Sequence, residues 1–156
     1  MDLINSTISR RKFAKILIII SAIFYSRKVF SMTDKDWKEK LRPEEYDVLR
    51  EQGTERPNSS NLNNEKREGE YLCIGCDSKL FKSEMKFDSG TGWPSFYDYI
   101  QGSLGFETDL KMIIPRKEYH CATCGGHHGH VFKDGPDPTG LRYCNNGIVL
   151  KFIPKT

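Results

Sequence analysis

Five cysteines divide into a group of four and one apart. Cys73 and Cys76 form one C-x-x-C pair, and Cys121 and Cys124 form a second. Together they supply four thiolates, the number that closes a tetrahedral zinc site. Glycines beside each pair (Gly75, Gly125 and Gly126) suit a backbone turning tightly around a metal. With no coordination position left open, that single Zn2+ would staple the fold rather than catalyse. Two other readings stand beside this one. The pairs could be disulfides or redox-active dithiols, which an oxidising compartment favours. They could also mark a zinc-ribbon binding module, which calls for a basic, aromatic surface and no further reactive group.

The fifth cysteine supplies a reactive group. Cys144 lies in Gly140-Leu141-Arg142-Tyr143-Cys144-Asn145-Asn146. On a strand, alternation puts Arg142, Cys144 and Asn146 on one face. A guanidinium beside a thiol favours the thiolate, the form that attacks. Upstream, His127, His128 and His130 place three of the four histidines within four positions, with Asp134 following. A cysteine next to arginine is by itself as consistent with a buried structural thiol. The density of imidazoles, so close in sequence to Cys144, turns the reading towards a nucleophile served by proton-transfer groups.

The elements that must position these side chains change character along the chain. From Thr33 to Gly53 the pattern is helical. Thr33 or Asp34 caps a short turn containing Trp37 and Leu41, Pro43 starts a second helix, and Tyr46 and Leu49, with Val48, give it an apolar side. Gly53 sits where a helix end wants a left-handed residue. Thr54 to Gly69 reads as an irregular surface loop or a mobile lid. Beyond it, short strands are expected at Glu70–Cys73, Lys79–Phe81, Gly105–Thr108, Met112–Ile114, His130–Phe132 and Leu141–Ile153, separated by glycine- and proline-rich turns. Helices first and strands after them predict one compact, mainly β domain with an N-terminal helical cap.

The chain has 156 residues, 37% of them hydrophobic and 29% charged, which suits one globular domain. Its formal net charge is +3. Residues 1–31 carry Arg10, Arg11, Lys12, Lys15, Arg27 and Lys28 against Asp2, a net +5, so the remainder carries −2. A near-neutral body removes the electrostatic case for nucleic acid and weakens the binding-module reading. The basic segment is itself informative. Ser9-Arg10-Arg11-Lys12-Phe13-Ala14-Lys15, followed by an apolar run from Ile16 to Tyr25, resembles a bacterial twin-arginine export signal. The run is short for a membrane span, which needs about twenty residues. Residues 1–31 are therefore expected to direct export to the periplasm, with cleavage before Met32. An uncleaved leader anchoring the protein in the membrane is the alternative.

Three stretches carry a further resemblance. Gly90-Thr91-Gly92-Trp93-Pro94-Ser95-Phe96, Gly126-His127-His128-Gly129-His130-Val131-Phe132-Lys133-Asp134-Gly135-Pro136 and Pro138-Thr139-Gly140-Leu141-Arg142-Tyr143-Cys144-Asn145-Asn146 resemble the B-type methionine sulfoxide reductases. Leu41-Arg42-Pro43-Glu44 and Gly53-Thr54-Glu55 resemble that family's N-terminal segment, and the cysteine pairs its structural zinc site. The resemblance runs from about Trp37 to Phe152. It implies two antiparallel β-sheets with N-terminal helices, and a reductase of methionine-R-sulfoxide over residues 32–156, protein-bound or free. It also implies roles. Cys144 would attack the sulfoxide sulfur and become a sulfenic acid. His127 and His130 would hold or protonate the departing oxygen, and Asp134 would orient a histidine. Arg142 would stabilise the thiolate, Asn146 would order the site from the same strand face, and Trp93 would pack on the substrate's S-methyl group.

The chain also departs from the pattern. Thr91 stands where many members carry a resolving cysteine, so recycling is expected from a thioredoxin-like protein or a small thiol. His128 replaces a commonly apolar residue, and Pro57-Asn58-Ser59-Ser60 lacks an aromatic expected at the pocket rim. The expected protein is a monomer that needs no organic cofactor. The leader yields a direct test: a reporter fused behind residues 1–31 should cross the inner membrane only while Arg10 and Arg11 are intact. Export that persists in Arg10→Lys/Arg11→Lys means another route.

Overall fold

Two short helices come first among the described residues. In helix α1 (Asp34–Lys40), Thr33 caps the first turn by accepting the Asp36 N–H, and Asp36 returns the favour by accepting the Thr33 N–H at 2.7 Å. In α2 (Pro43–Glu51), Pro43 takes the first helical position, where its missing N–H costs nothing, and Glu45 reaches back to the Arg42 N–H at 2.9 Å. The end of α2 differs from expectation. Gln52 holds the left-handed conformation (φ 58°), and Gly53 instead donates its N–H to the Asp47 carbonyl at 3.0 Å. Trp37, Val48 and Leu49 bury the inner faces of the two helices.

The computed structural model describes residues 32–110 and 115–156, and Thr33–Thr156 form one unit. The expected leader and the strand expected at Met112–Ile114 lie outside the described residues. Among the described residues no helix is long and apolar enough to cross a membrane. The strands are β1 (Gly69–Cys73), β2 (Lys79–Lys82), β3 (Lys86–Phe87), β4 (Ser95–Phe96), β5 (Leu104–Asp109), β6 (Arg116–Cys121), β7 (His127–Phe132), β8 (Arg142–Asn145) and β9 (Leu150–Pro154). They make two antiparallel sheets, a three-stranded one ordered β2-β1-β9 and a six-stranded one ordered β3-β4-β8-β7-β6-β5. This is the mainly β architecture that the sequence predicts.

One expected strand is two. Leu141–Ile153 breaks at a 3-10 turn, Gly147–Val149, and its halves belong to different sheets. The cause is a side chain from far upstream. The Glu55 carboxylate accepts the Gly147 and Ile148 N–H groups, so these donors leave the ladder at this point. Strands β3, β4 and β6 escape the sequence reading. The first two are only two residues long, and β6 begins Arg116-Lys117-Glu118, with no apolar alternation to reveal it.

The sheets enclose an aromatic layer. Phe81 of β2 stacks on Phe96 of β4 with centroids 4.1 Å apart, and Tyr71 of β1 meets Phe96 edge-on at 4.9 Å. Tyr119 and Tyr143 extend the layer below β6 and β8. Such rings contribute large buried areas and about 0.5–1.5 kcal/mol per well-oriented pair. His128, left without a role by the sequence, has no exposed surface and fills a core position on β7. Burial pushes its imidazole down from 6.5 to about 3. The unfolded chain therefore binds a proton below pH 6.5 that the folded chain refuses. Stability from this residue is complete above that pH and lost as pH falls towards 3. Urea titrations should show wild type losing up to about 1.4 kcal/mol per pH unit more than His128→Leu between pH 6 and 4. Parallel pH profiles for the two proteins would contradict this account.

Candidate active site and metal centre

Pairing between β7 and β8 sets His130 directly opposite Cys144, with Val131 opposite Tyr143 and Gly129 opposite Asn145. Gly129 is what permits the approach: a Cβ there would lie 1.9 Å from the Cys144 carbonyl oxygen. Tyr119 of β6 donates its hydroxyl to that same carbonyl at 3.1 Å, fixing the strand from one row further away. On the other flank, β4 sets Ser95 opposite Cys144. Alternation then turns Tyr143 into the aromatic core and leaves Arg142 and Cys144 on the opposite face.

Cys144 opens into a cavity of about 130 Å³, walled by Thr54, Trp93, Arg116, His130, Phe132 and Asn146. Trp93 is held by its indole N–H, which donates to the Glu55 carbonyl at 3.2 Å. The preceding Gly92, at φ 90°, could not carry a side chain without meeting Pro57 and Asn58, and its carbonyl accepts the Asn58 N–H at 2.7 Å. The loop from Thr54 is thereby an irregular segment tied to the pocket wall. Asn146 does not share a strand face with Cys144, because β8 ends at Asn145. It enters the site as a linker instead: its Nδ2 donates to the His128 carbonyl at 3.0 Å and its Oδ1 accepts the Glu55 N–H at 3.0 Å.

Charges surround the thiol in matched pairs. Burial pushes the Cys144 thiol up, while the Arg142 guanidinium and a hydrogen bond from Thr91 pull it down. Arg142 is gripped from behind by Asp134, at 2.9 Å (Nε to Oδ1) and 2.8 Å (Nη2 to Oδ2). That clamp holds the Asp134 carboxyl below the usual range. Asp134 thus orients the arginine and not a histidine, contrary to the expected role. The histidines have other acids. Glu118 lies 2.7 Å from His127 Nδ1, and Asp109 lies 2.9 Å from His130 Nε2 while also accepting Arg116 Nη2 at 2.6 Å. An ionised carboxylate only accepts, so His127 carries hydrogen on Nδ1 and His130 on Nε2. The His127 ring lies behind His130, with centroids 5.5 Å apart.

Asp109, Glu118, Arg116 and Glu55 were not singled out from the sequence. The signal available for two of them was the i, i+2 spacing of Arg116 and Glu118, which places both on one face of β6. The expected metal residues do converge. The sulfurs of Cys73, Cys76, Cys121 and Cys124 all lie within 4.8 Å of one another, and all four residues are buried. Contacts run between the motifs, Cys73 to Cys124 at 3.6 Å and Cys76 to Cys121 at 3.5 Å. The helical cap covers them: Arg50 of α2 donates to the Cys124 carbonyl at 3.0 Å, and Trp37 and Leu49 pack on Gly75. The four thiols form a site able to hold one metal ion.

Residues 41–154 match the model of the SelR domain. The chain is 48% identical to the peptide methionine sulfoxide reductase MsrB of Methanosarcina barkeri over 128 residues, covering 81% of this chain and 90% of that protein. It is 53% identical to the MsrB of Pseudomonas putida over 124 residues, covering 79% and 93%. It is 49% identical to the chloroplastic peptide methionine sulfoxide reductase B1 of Arabidopsis thaliana over 122 residues, covering 78% and 60%. A strand bearing Cys144 paired to a histidine strand, a four-cysteine cluster and this extent of identity agree: the chain belongs to the SelR domain family of B-type methionine sulfoxide reductases.

Proposed function

We propose that this chain reduces methionine-R-sulfoxide, in oxidised proteins or as the free amino acid, through Cys144. The observation that carries the reading is the cavity in which Cys144 stands opposite His130, between Trp93 and Asn146. A small, partly apolar recess beside an aromatic ring accepts a thioether-like side chain, and a polarizable sulfur gains from the ring. The Cys144 thiolate attacks the sulfoxide sulfur. As the S–O bond breaks, oxygen passes to Cys144 with one proton, yielding sulfenic acid and the methionine thioether. Oxygen leaves poorly without that proton. His130 lines the cavity, and its Nε2–H is committed to Asp109, so Nδ1 is the atom assigned to proton exchange. Glu118 keeps His127 in place behind it.

Recycling then needs thiols from outside. The other four cysteines sit together in the buried cluster, and Thr91 has no sulfur. An external thiol, from a thioredoxin-like protein or a small molecule, condenses with the sulfenic acid, releasing water and leaving a mixed disulfide. A second thiol then displaces Cys144. The cluster fits zinc. Arms of about 2.3 Å give a tetrahedron with edges of about 3.8 Å, near the separations seen here. When bound, zinc supplies a fixed four-thiolate crosslink beneath the helical cap and no catalytic step. Residues 1–31 are proposed as the leader that takes this monomer to the periplasm.

Epimer-resolved turnover with a dithiol is the decisive assay. The R epimer should be reduced and the S epimer left essentially untouched, and equal turnover of both would defeat the reading. Cys144→Ser should lower R-epimer turnover by at least about a thousandfold with fold and metal content retained. Metal analysis should find one zinc per chain. Cys73→Ser should lose it along with about 10 °C or more of melting temperature. A zinc-free protein that melts normally would show the cluster misread.

A further inference from the structure

Two arginines serve the strands around Cys144, and their surroundings differ. Arg142 of β8 is 8% exposed and spends two donors on Asp134. Arg116 of β6 lines the cavity itself, and its side chain is 36% exposed. The buried residues of the lining, Gly129, Asn145 and Asn146, form its floor, so exposed Thr54 and part-exposed Arg116 stand at its mouth. Among the described residues Arg116 makes one hydrogen bond, from Nη2 to Asp109 Oδ2 at 2.6 Å. The same oxygen lies 2.9 Å from His130 Nε2, and His130 faces Cys144 across the β7–β8 pair. One carboxylate oxygen therefore fixes Arg116 relative to the site. A guanidinium carries five N–H donors in a rigid fork. Nε is buried, so the donors within a ligand's reach belong to the terminal nitrogens.

We infer that Arg116 is a specificity-determining residue that donates to the main-chain oxygen beside the Cα of methionine sulfoxide. The inference rests on the reading of this cavity as the sulfoxide site and names the contact made by the rest of the substrate. A recess of about 130 Å³ takes a side chain and leaves the Cα and main chain at the mouth, where Arg116 stands. The main chain offers both an N–H and an oxygen. A guanidinium only donates, so it selects the oxygen. That acceptor is the carbonyl of a peptide or the carboxylate of the free amino acid, and the fork suits either. Because the oxygen takes no part in the chemistry, its contact with Arg116 acts on binding and appears in KM. Anchorage of His130 through Asp109 is a separate matter and acts on every substrate alike.

The test compares three R-epimer substrates on the full chain with its cluster intact. They are N-acetyl-methionine sulfoxide N-methylamide, with a carbonyl; N-acetyl-methionine sulfoxide, with a carboxylate; and N-[3-(methylsulfinyl)propyl]acetamide, with neither. Wild type should favour at least one of the first two over the third by roughly tenfold in kcat/KM, carried mainly by KM. In Arg116→Leu that preference should vanish, whereas any fall in kcat common to all three reports the lost anchorage of Asp109. The substrate that loses more, amide or carboxylate, identifies the source of the oxygen. An Arg116→Leu variant that loses the same factor on all three substrates overturns the inference, because a purely structural role has that signature. Should the variant fail to fold, equal kcat/KM for the three substrates in wild type overturns it as well. Absence of turnover on all three would instead strike the reductase reading beneath it.

Discussion

Burial penalises a charged thiolate, and the recess that would hold a substrate cannot be built without burying Cys144. Much of the surrounding architecture answers that penalty. Arg142, two residues earlier on the same strand, reaches the sulfur because alternation returns it to the same face. An arginine free to rotate would be a weak compensator, but this one is fixed two ways. Asp134 takes its guanidinium by two parallel bonds, and its charge lies 4.3 Å from the Phe132 ring centre. The same low-dielectric surroundings that raise the cost of the thiolate strengthen each of these contacts.

Strand β8 is the axis around which this is organised. It is an inner strand, with Ser95 of β4 and His130 of β7 as cross-strand neighbours of Cys144. A slip of one residue in either pairing would turn Cys144 into the aromatic layer and expose Tyr143. Tyr143 packs against Tyr99 and Tyr119 at centroid distances of 5.3 and 5.6 Å, so the core that holds the sheets together also fixes which residues face the site. The cysteine cluster, covered by the helical cap, secures a different region of the fold.

Local chemistry was legible in the sequence, and long-range partnership was not. The C-x-x-C pairs, the proline at the start of α2 and the Arg142–Cys144 alternation are each written within a few residues, and the structure contains them as read. The acid behind each histidine was not legible. Asp134 follows His130 by four residues and was assigned to a histidine on proximity, yet the strand directs it to Arg142. Asp109 and Glu118 reach the histidines across strand pairings, and β6 shows no apolar alternation because one of its faces belongs to the site. The break between β8 and β9 was hidden for a similar reason. Nothing near Gly147 announces it, since the carboxylate that captures its N–H comes from Glu55.

Glu55 joins these observations. Its side chain accepts from Gly147, Ile148 and Ser59, its own N–H donates to Asn146, and its carbonyl accepts the Trp93 indole. Burial pushes its carboxyl up, and the two backbone donors pull it back, so the cost of placing an acid there is offset where the chain changes sheets. The consequence reaches the cavity itself. Trp93 and Asn146 come from segments far apart in sequence, on either side of the strand that bears Cys144, and one residue of the Thr54–Gly69 loop holds both. The Glu55 backbone, anchored by a carboxylate bonded to Gly147 and Ile148, thereby ties the aromatic wall of the cavity to its amide wall. That explains why an irregular loop, which contributes only Thr54 to the lining, must nevertheless keep a defined path.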